Sequence, residues 1–141
     1  MKPDVQAARI AVDAHPKDNT HRLNLARTLI DAAWFEPGIT WKANYEEATA
    51  IFESVLADEP ENAVALVNLG VALSDQGSHR RSLECYRRAE SLHWIDGNLQ
   101  HNIGVALVNL RDESAGRYFQ KSAIQTDHPD TIRAYFDPQA H

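Results

Sequence analysis

The chain has 141 residues, 43% of them hydrophobic and 24% charged, so it is long enough to bury one core and too apolar to be disordered. Its 20 Asp and Glu exceed its 14 Lys and Arg, and the net charge of −6 argues against nucleic acid as a partner, because phosphates require a basic surface. A single cysteine excludes an internal disulfide and no apolar run is long enough to span a membrane, so we expect a cytoplasmic protein without membrane contact.

The first two helices are predicted from apolar side chains that recur every third or fourth residue. One helix covers Val5 to Ala14, and His15-Pro16 ends it because the residue before proline is driven out of the α region. Asp18 is then expected to cap a second helix, which continues from Asn19 to about residue 33.

The stretch 34–43 interrupts this rhythm with a Pro37-Gly38 turn among aromatic residues. Two interpretations stay open. Trp34, Phe35 and Trp41 form an apolar flap or an interface, since an exposed aromatic patch usually marks a contact surface. Alternatively, the flanking helices are about a turn longer and the three side chains pack on their own part of the chain.

Helical periodicity resumes at Tyr45 and stops at Pro60. Four more helices are predicted over 63–76, 79–92, 97–110 and 113–126, and Gly77 is expected to end the first of them in a left-handed conformation. Asp130 is expected to cap a last short piece, Thr131 to Phe136.

Caps and a hexapeptide recur with one period. The caps Asn62, Asp96 and Asp130 are 34 residues apart, as are the segments Asn68–Leu73 and Asn102–Leu107, which differ only in Leu for Ile. A fixed period of this length is typical of stacked repeat units, each of which presents the same face to its neighbour.

The 34-residue unit resembles the tetratricopeptide repeat (TPR). The unit from residue 63 carries Leu69-Gly70 in its first helix and Tyr86 in its second, and the next unit carries Ile103-Gly104 and Phe119. The resemblance implies an all-α fold, a right-handed α-solenoid of TPR helix pairs with about seven helices and a short C-terminal piece. The single domain 1–141 would comprise a half-unit (4–15), a repeat (19–60) with the insertion 34–43, two further repeats (63–95 and 97–128) and the C-terminal piece (130–141).

Gly70 and Gly104 lie inside predicted helices, where glycine costs about 1 kcal/mol relative to alanine. A close contact with small residues of the following helix is expected to compensate. The candidates are Ser82 for Gly70, and Ala115 or Gly116 for Gly104.

In the TPR family the first helix of each unit lines a concave groove. Asn24, Asn68 and Asn102 share one register there, and the resemblance implies a ladder of amides that pairs with the backbone of an extended ligand. A segment with alternating apolar side chains would bury them against valines of the groove. Two alternatives stay open: the amides brace neighbouring helices or only keep the groove soluble, and the valines belong to the core between repeats. Family geometry also assigns to the groove Arg27, Val64, Val67, Val71, Asn98, His101, Val105 and Val108.

These features predict a non-catalytic interaction module that binds a peptide or a protein segment. No cofactor, metal site or catalytic residue is predicted, because the seven histidines lack metal-ligand spacing and no activated nucleophile stands out. A self-assembling scaffold, that is, a homo-oligomer, is one alternative. A small chaperone similar to the class II chaperones of type III secretion is another.

Overall fold

The computed structural model describes residues 2–36, 38 and 40–137, so Pro37, Ile39 and the last four residues of the predicted C-terminal piece lie outside it. The described residues form seven α-helices and no strand. The all-α prediction is confirmed, and each of the seven predicted helices has an observed counterpart. The helices are α1 Val5–Ala14, α2 Asn19–Phe35, α3 Trp41–Asp58, α4 Ala63–Asp75, α5 His79–Ser91, α6 Gly97–Asn109 and α7 Ala115–Ile124.

The chain forms two compact units, Met1–Ala65 and Leu66–His141, with the boundary inside α4. In the first unit α2 packs against both α1 and α3. Phe52 and Val55 on α3 are fully buried, which places them in the core of this unit. On the surface, the Arg9 guanidinium donates two hydrogen bonds to the Glu47 carboxylate (2.6 and 2.7 Å) and lowers the pKa of that carboxyl.

The insertion lengthens the helices on both sides of it. α2 has 17 residues and α3 has 18, whereas α4 and α5 have 13 each. Trp34 Nε1 donates to the Tyr45 hydroxyl (2.6 Å), and the Trp41 ring meets the Tyr45 ring edge-on with centroids 6.0 Å apart. Trp34, Phe35 and Trp41 nevertheless remain 41–54% exposed, so their use as a flap or an interface remains a prediction.

The predicted caps are confirmed at three helix starts. Asp18 accepts from the Thr20 N–H, Asn62 from the Ala65 N–H and Asp96 from the Asn98 N–H, at 2.9–3.0 Å. Each bond satisfies one of the N–H groups that a helix leaves unpaired in its first turn.

The ends of α4 and α6 lie one period apart and have the same geometry. After α4, Gly77 has a φ of 91° and the Ser78 N–H donates to the Leu73 carbonyl (2.8 Å). After α6, Arg111 has a φ of 58° and the Asp112 N–H donates to the Leu107 carbonyl (2.8 Å). Both ends have the hydrogen bonding of a Schellman motif, which places a residue in the left-handed region.

The atoms nearest to a Cβ at the two helical glycines belong to aromatic rings, and not to the small residues that the sequence predicts. A Cβ on Gly70 would overlap the ring of Tyr86, and a Cβ on Gly104 would come within 2.8 Å of the ring of Phe119. The physical reason is that a flat aromatic ring covers more of the exposed helix backbone than a small side chain does. Gly116 meets nothing within 4 Å.

Asp130 does not cap a helix, which is a second correction. Residues 129–130 form a turn and residues 131–137 have no helical structure. A helix of six residues would close few backbone hydrogen bonds to offset the cost of forming its first turn. The backbone of this piece instead bonds to side chains of α4 and α6.

Candidate binding groove

Two asparagines of the second unit bind the backbone of the C-terminal segment, residues 127–137. Asn68 on α4 donates from Nδ2 to the Asp130 carbonyl (3.0 Å) and accepts at Oδ1 from the Ile132 N–H (3.0 Å). Asn102 on α6 repeats the arrangement two residues further on. It donates to the Ile132 carbonyl (2.9 Å) and accepts from the Ala134 N–H (2.8 Å).

These four backbone groups belong to residues 130, 132 and 134. In an extended chain the N–H and C=O of alternate residues point to the same edge, as they do in a β-ladder. The two amides therefore act as a short substitute for a neighbouring strand. Neither amide reaches solvent, since Asn68 is 1% and Asn102 is 0% exposed.

The opposite edge of the segment is held by Asn98 and Asp75, one on each helix. Asn98 Nδ2 donates to the Thr131 carbonyl (3.1 Å), and the Asp75 carboxylate accepts from the Tyr135 N–H (3.0 Å). Both edges are thus bonded to side chains, so the segment lies in a groove formed by α4 and α6, here called the α4/α6 groove.

Asp96 anchors the start of the segment as well as capping α6. Its carboxylate accepts from the His128 N–H (2.9 Å), from the Thr131 hydroxyl (2.6 Å) and from Trp94 Nε1 (3.2 Å). Since Asp96 is fully buried, these bonds replace the water that a carboxylate requires.

Apolar contacts cover the floor of the groove. Val71, Val105 and Ala134 form one buried cluster, against which Ile132 and Phe136 also pack. Phe119 on α7 belongs to the same cluster, with its ring centroid 5.5 Å from that of Phe136. The side chains of residues 132, 134 and 136 face the valines, while Arg133 and Tyr135 are exposed.

His101 lies at the same place, with its ring edge-on to Phe119 at a centroid distance of 5.5 Å. Burial lowers the pKa of His101, and the nearby Arg133 guanidinium lowers it further. The Asp127 carboxylate and a hydrogen bond with the Ala134 backbone act in the opposite direction. The net shift favours the neutral imidazole in the folded protein.

The other residues assigned to the groove have different surroundings. Val67 is fully buried, and Val64 and Val108 are half-buried. Asn24 and Arg27 belong to the first unit, where Asn24 is exposed and lines an open pocket between α1 and α2 of about 430 Å³, together with Thr28 and Asp31. The structure therefore brings together Asn68, Asn98, Asn102, Val71, Val105 and His101.

Sequence reasoning missed the occupant of the groove and the anchoring role of Asp96. The sequence of the occupant contains a pattern that predicts an extended chain. Ile132, Ala134 and Phe136 alternate with two exposed residues, and a period of two is typical of extended structure. The 34-residue spacing to Asp130 pointed instead to a helix. No sequence pattern indicates that Asp96 bonds to Thr131 as well as to its own helix.

Within residues 2–36, 38 and 40–137, no group of three or more His, Cys, Asp or Glu side chains is arranged to hold a metal ion. Every helix in that part of the chain is too short or too polar to cross a bilayer.

The helix pairs and the recurring helix ends define a helical-repeat protein of TPR-like fold. Solved structures of MamA have the same fold. MamA MSR-1 matches with a TM-score of 0.63 at 18% identity, and MamA AMB-1 with 0.62 at 19%, each over 84% of this chain. A third structure, titled "Crystal structure of MamA", matches with a TM-score of 0.52 at 17% identity over 84% of both chains.

The chain spans 63% of the length of MamA MSR-1 and 60% of that of MamA AMB-1. No protein-family model matches the sequence, and no curated protein does. At these identities the likeness shows the fold alone.

Proposed function

We propose that the chain is a non-catalytic interaction module whose α4/α6 groove binds an extended segment of a partner protein. The observation that carries the proposal is that Asn68 and Asn102 bond to backbone groups and not to side chains. Because every residue except proline has both of these backbone groups, the two amides bond to an extended segment without reading its side chains, and they set its register.

The valines supply the affinity. Apolar side chains at alternate positions of a bound segment would be buried against Val71 and Val105, with a gain of roughly 25 cal/mol per Å² of apolar area removed from water. The amides set the register of a bound segment and the valines contribute the affinity, so together they form a site for peptide segments.

We extend the proposal to the rest of the predicted groove. Asn24 has the register of Asn68 and an exposed side chain, so it is available to bond to a backbone in the first unit. Arg27, Val64, Val67 and Val108 are proposed as further lining residues. A cytoplasmic location and the lack of a nucleic-acid partner stay predictions from composition.

A self-assembling scaffold is the second candidate, and the exposed aromatics of the insertion favour it. Trp34, Phe35 and Trp41 are each at least 41% exposed, which is the kind of surface that homo-oligomers bury. No comparable feature of the described residues favours the secretion-chaperone alternative.

The test begins with proteins captured from native lysate by the full-length chain, and continues with affinity measurements on a captured protein. The affinities are measured in a chain that also carries Ala134→Asp, which places a charge on the apolar floor of the groove and frees the groove from residues 127–137. In that chain we expect the double substitution Asn68→Ala and Asn102→Ala to weaken binding at least tenfold, because each lost hydrogen bond contributes about 1 kcal/mol. Asn109→Ala is the matched control, since Asn109 Nδ2 bonds to the Val105 carbonyl of its own helix (2.9 Å). Equal binding by the double variant, with its helical content intact, would contradict the proposal.

A further inference from the structure

We propose that the C-terminal segment, residues 127–137, is an intramolecular competitor that closes the α4/α6 groove until a partner segment of the same chemistry displaces it. The inference rests on the proposed function. It adds the residue pattern that the groove selects and the step that precedes binding.

Most of the bonds that hold the segment are transferable to another chain. Asn68, Asn102 and Asp75 bond through their side chains to backbone atoms of the segment, at 2.8–3.0 Å. An extended partner presents the same N–H and C=O groups at the same spacing. The two asparagines would therefore exchange one backbone for another without loss of hydrogen bonds.

Two positions of the segment define most strictly what a partner must carry. Ala134 is 4% exposed between Val71 and Val105, so a bulky side chain is excluded there. Thr131 is 2% exposed and donates to Asp96, so this position requires a hydroxyl group.

The remaining positions are less restricted. Residues 132 and 136 face the apolar cluster and select apolar and aromatic side chains. Arg133 Nε donates to Asn98 Oδ1 (2.8 Å), which favours a basic residue, while Tyr135 is 55% exposed and accepts substitution. A partner segment is thus expected to carry, at the places of residues 131 to 136 in order, Thr, an apolar residue, a basic residue, Ala, any residue and an aromatic residue.

A short tether joins the segment to α7. The segment follows α7 after a connection of two residues, and it has no helix of its own that would hold it in place. A short tether gives an effective concentration in the millimolar range or above, so a free partner must bind tightly or be present at high local concentration to compete. The affinity measured for the whole chain is then reduced by the small fraction of molecules with an open groove.

The test uses the full-length chain and a fluorescein-labelled synthetic peptide with the sequence of residues 127–137. Ala134→Asp in the protein places a charge against Val71 and Val105, and this is expected to expel the segment. Binding of the peptide is measured by fluorescence anisotropy. We expect Ala134→Asp to bind the peptide at least tenfold more tightly than the unsubstituted chain, because the internal competitor is gone.

Three further variants serve as controls. Ile124→Asp introduces the same charge at a residue that is 86% exposed and outside the groove, so it should bind the peptide as weakly as the unsubstituted chain. Ile132→Ser is a milder way to loosen the segment if Ala134→Asp fails to fold, as judged by circular dichroism. Adding Asn68→Ala and Asn102→Ala to Ala134→Asp should abolish the gain.

The outcomes separate this inference from the proposed function. Equal, asparagine-dependent binding by Ala134→Asp and the unsubstituted chain would overturn the competition and leave the groove as a binding site. No binding to either protein, with the segment released according to hydrogen exchange, would overturn both.

A dimer of the unsubstituted chain that Ala134→Asp dissociates would assign the segment to a second copy and overturn the intramolecular contact. Unchanged affinity for a peptide carrying Ala134→Trp would overturn the proposed selection for a small residue.

Discussion

Asn68 and Asn102 illustrate, at the scale of the residue, why an amide side chain recurs at one helix register. A carboxamide has a donor and an acceptor side by side, so one side chain bonds to a carbonyl and to an N–H two residues later. A carboxylate only accepts, and a lysine only donates. Among these side chains, the amide alone matches both groups on the edge of an extended chain.

Gly70 and Gly116 form a matched pair for a stability prediction. Gly70→Ala is expected to lower the free energy of unfolding by about 1–3 kcal/mol, because the new Cβ overlaps the fully buried ring of Tyr86. Gly116→Ala meets no neighbour and is expected to be neutral or to stabilise by up to about 1 kcal/mol. Urea denaturation followed by circular dichroism measures both, and equal effects of the two substitutions would contradict the packing assigned to Gly70.

His101 makes the stability of the second unit depend on pH. Its pKa is lowered from 6.5 by burial and by Arg133, so the unfolded chain binds a proton at a pH where the folded chain does not. The stability that His101 contributes is therefore full above pH 6.5, and it falls as the pH decreases from there towards the folded-state pKa.

Urea denaturation at pH 7.5 and at pH 5.5 tests this prediction. The loss of stability between the two values is expected to be smaller in His101→Gln, because glutamine cannot take up the proton. The same loss in both proteins would mean that other groups cause the pH dependence.

The ends of α4 and α6 show, at the scale of the element, how one backbone motif accommodates different residues. Gly77 and Arg111 occupy the same place, 34 residues apart, and both have a positive φ. Glycine adopts this conformation without strain, whereas a residue with a Cβ is strained there by about 1–2 kcal/mol.

Arg111→Gly is accordingly expected to raise the free energy of unfolding by up to about 1 kcal/mol, because part of the relieved strain is offset by the greater freedom of glycine in the unfolded chain. Gly77→Ala is the converse control and is expected to destabilise by about 1 kcal/mol. Thermal unfolding of the two variants measures both effects. A lower melting temperature for Arg111→Gly would contradict the claim that the backbone of Arg111 is strained at the end of α6.

The C-terminal segment should show alternating protection in amide hydrogen exchange. The N–H groups of Ile132 and Ala134 bond to buried asparagines, whereas the Arg133 N–H has no partner among the described residues. We expect slow exchange at 132 and 134 and fast exchange at 133, as measured by NMR. Uniformly fast exchange along the segment would show that it is not docked.

The whole chain consists of two compact units, and the two candidate functions predict different masses for it. An interaction module whose groove is closed by its own segment is expected to sediment as a monomer of 15.8 kDa at every concentration. A scaffold assembled through the insertion would increase in mass with concentration. Trp41→Ser, which removes an exposed aromatic side chain, would then restore the monomer.

The helices and their caps were predictable because they depend on residues close in sequence. Helical periodicity and the caps Asp18, Asn62 and Asp96 involve contacts within a few residues, which the sequence displays directly. The longer helices at the insertion are one of two outcomes that the sequence allows, since a Pro-Gly pair among aromatic residues is also typical of an exposed loop.

The sequence by itself determined a helical-repeat protein with asparagines in one register, because periodic contacts and repeated caps are local. Only the tertiary structure decided what those asparagines bind. Asn68 and Ile132 are 64 residues apart, and no local pattern specifies a bond over that distance. The contacts of aromatic rings with Gly70 and Gly104 also depend on the tertiary structure. A ring on one helix reaches the glycine of the helix before it only once the two helices are packed together. The last segment became an extended chain and not an eighth helix, because six residues gain more from the side chains of α4 and α6 than from a single helical turn.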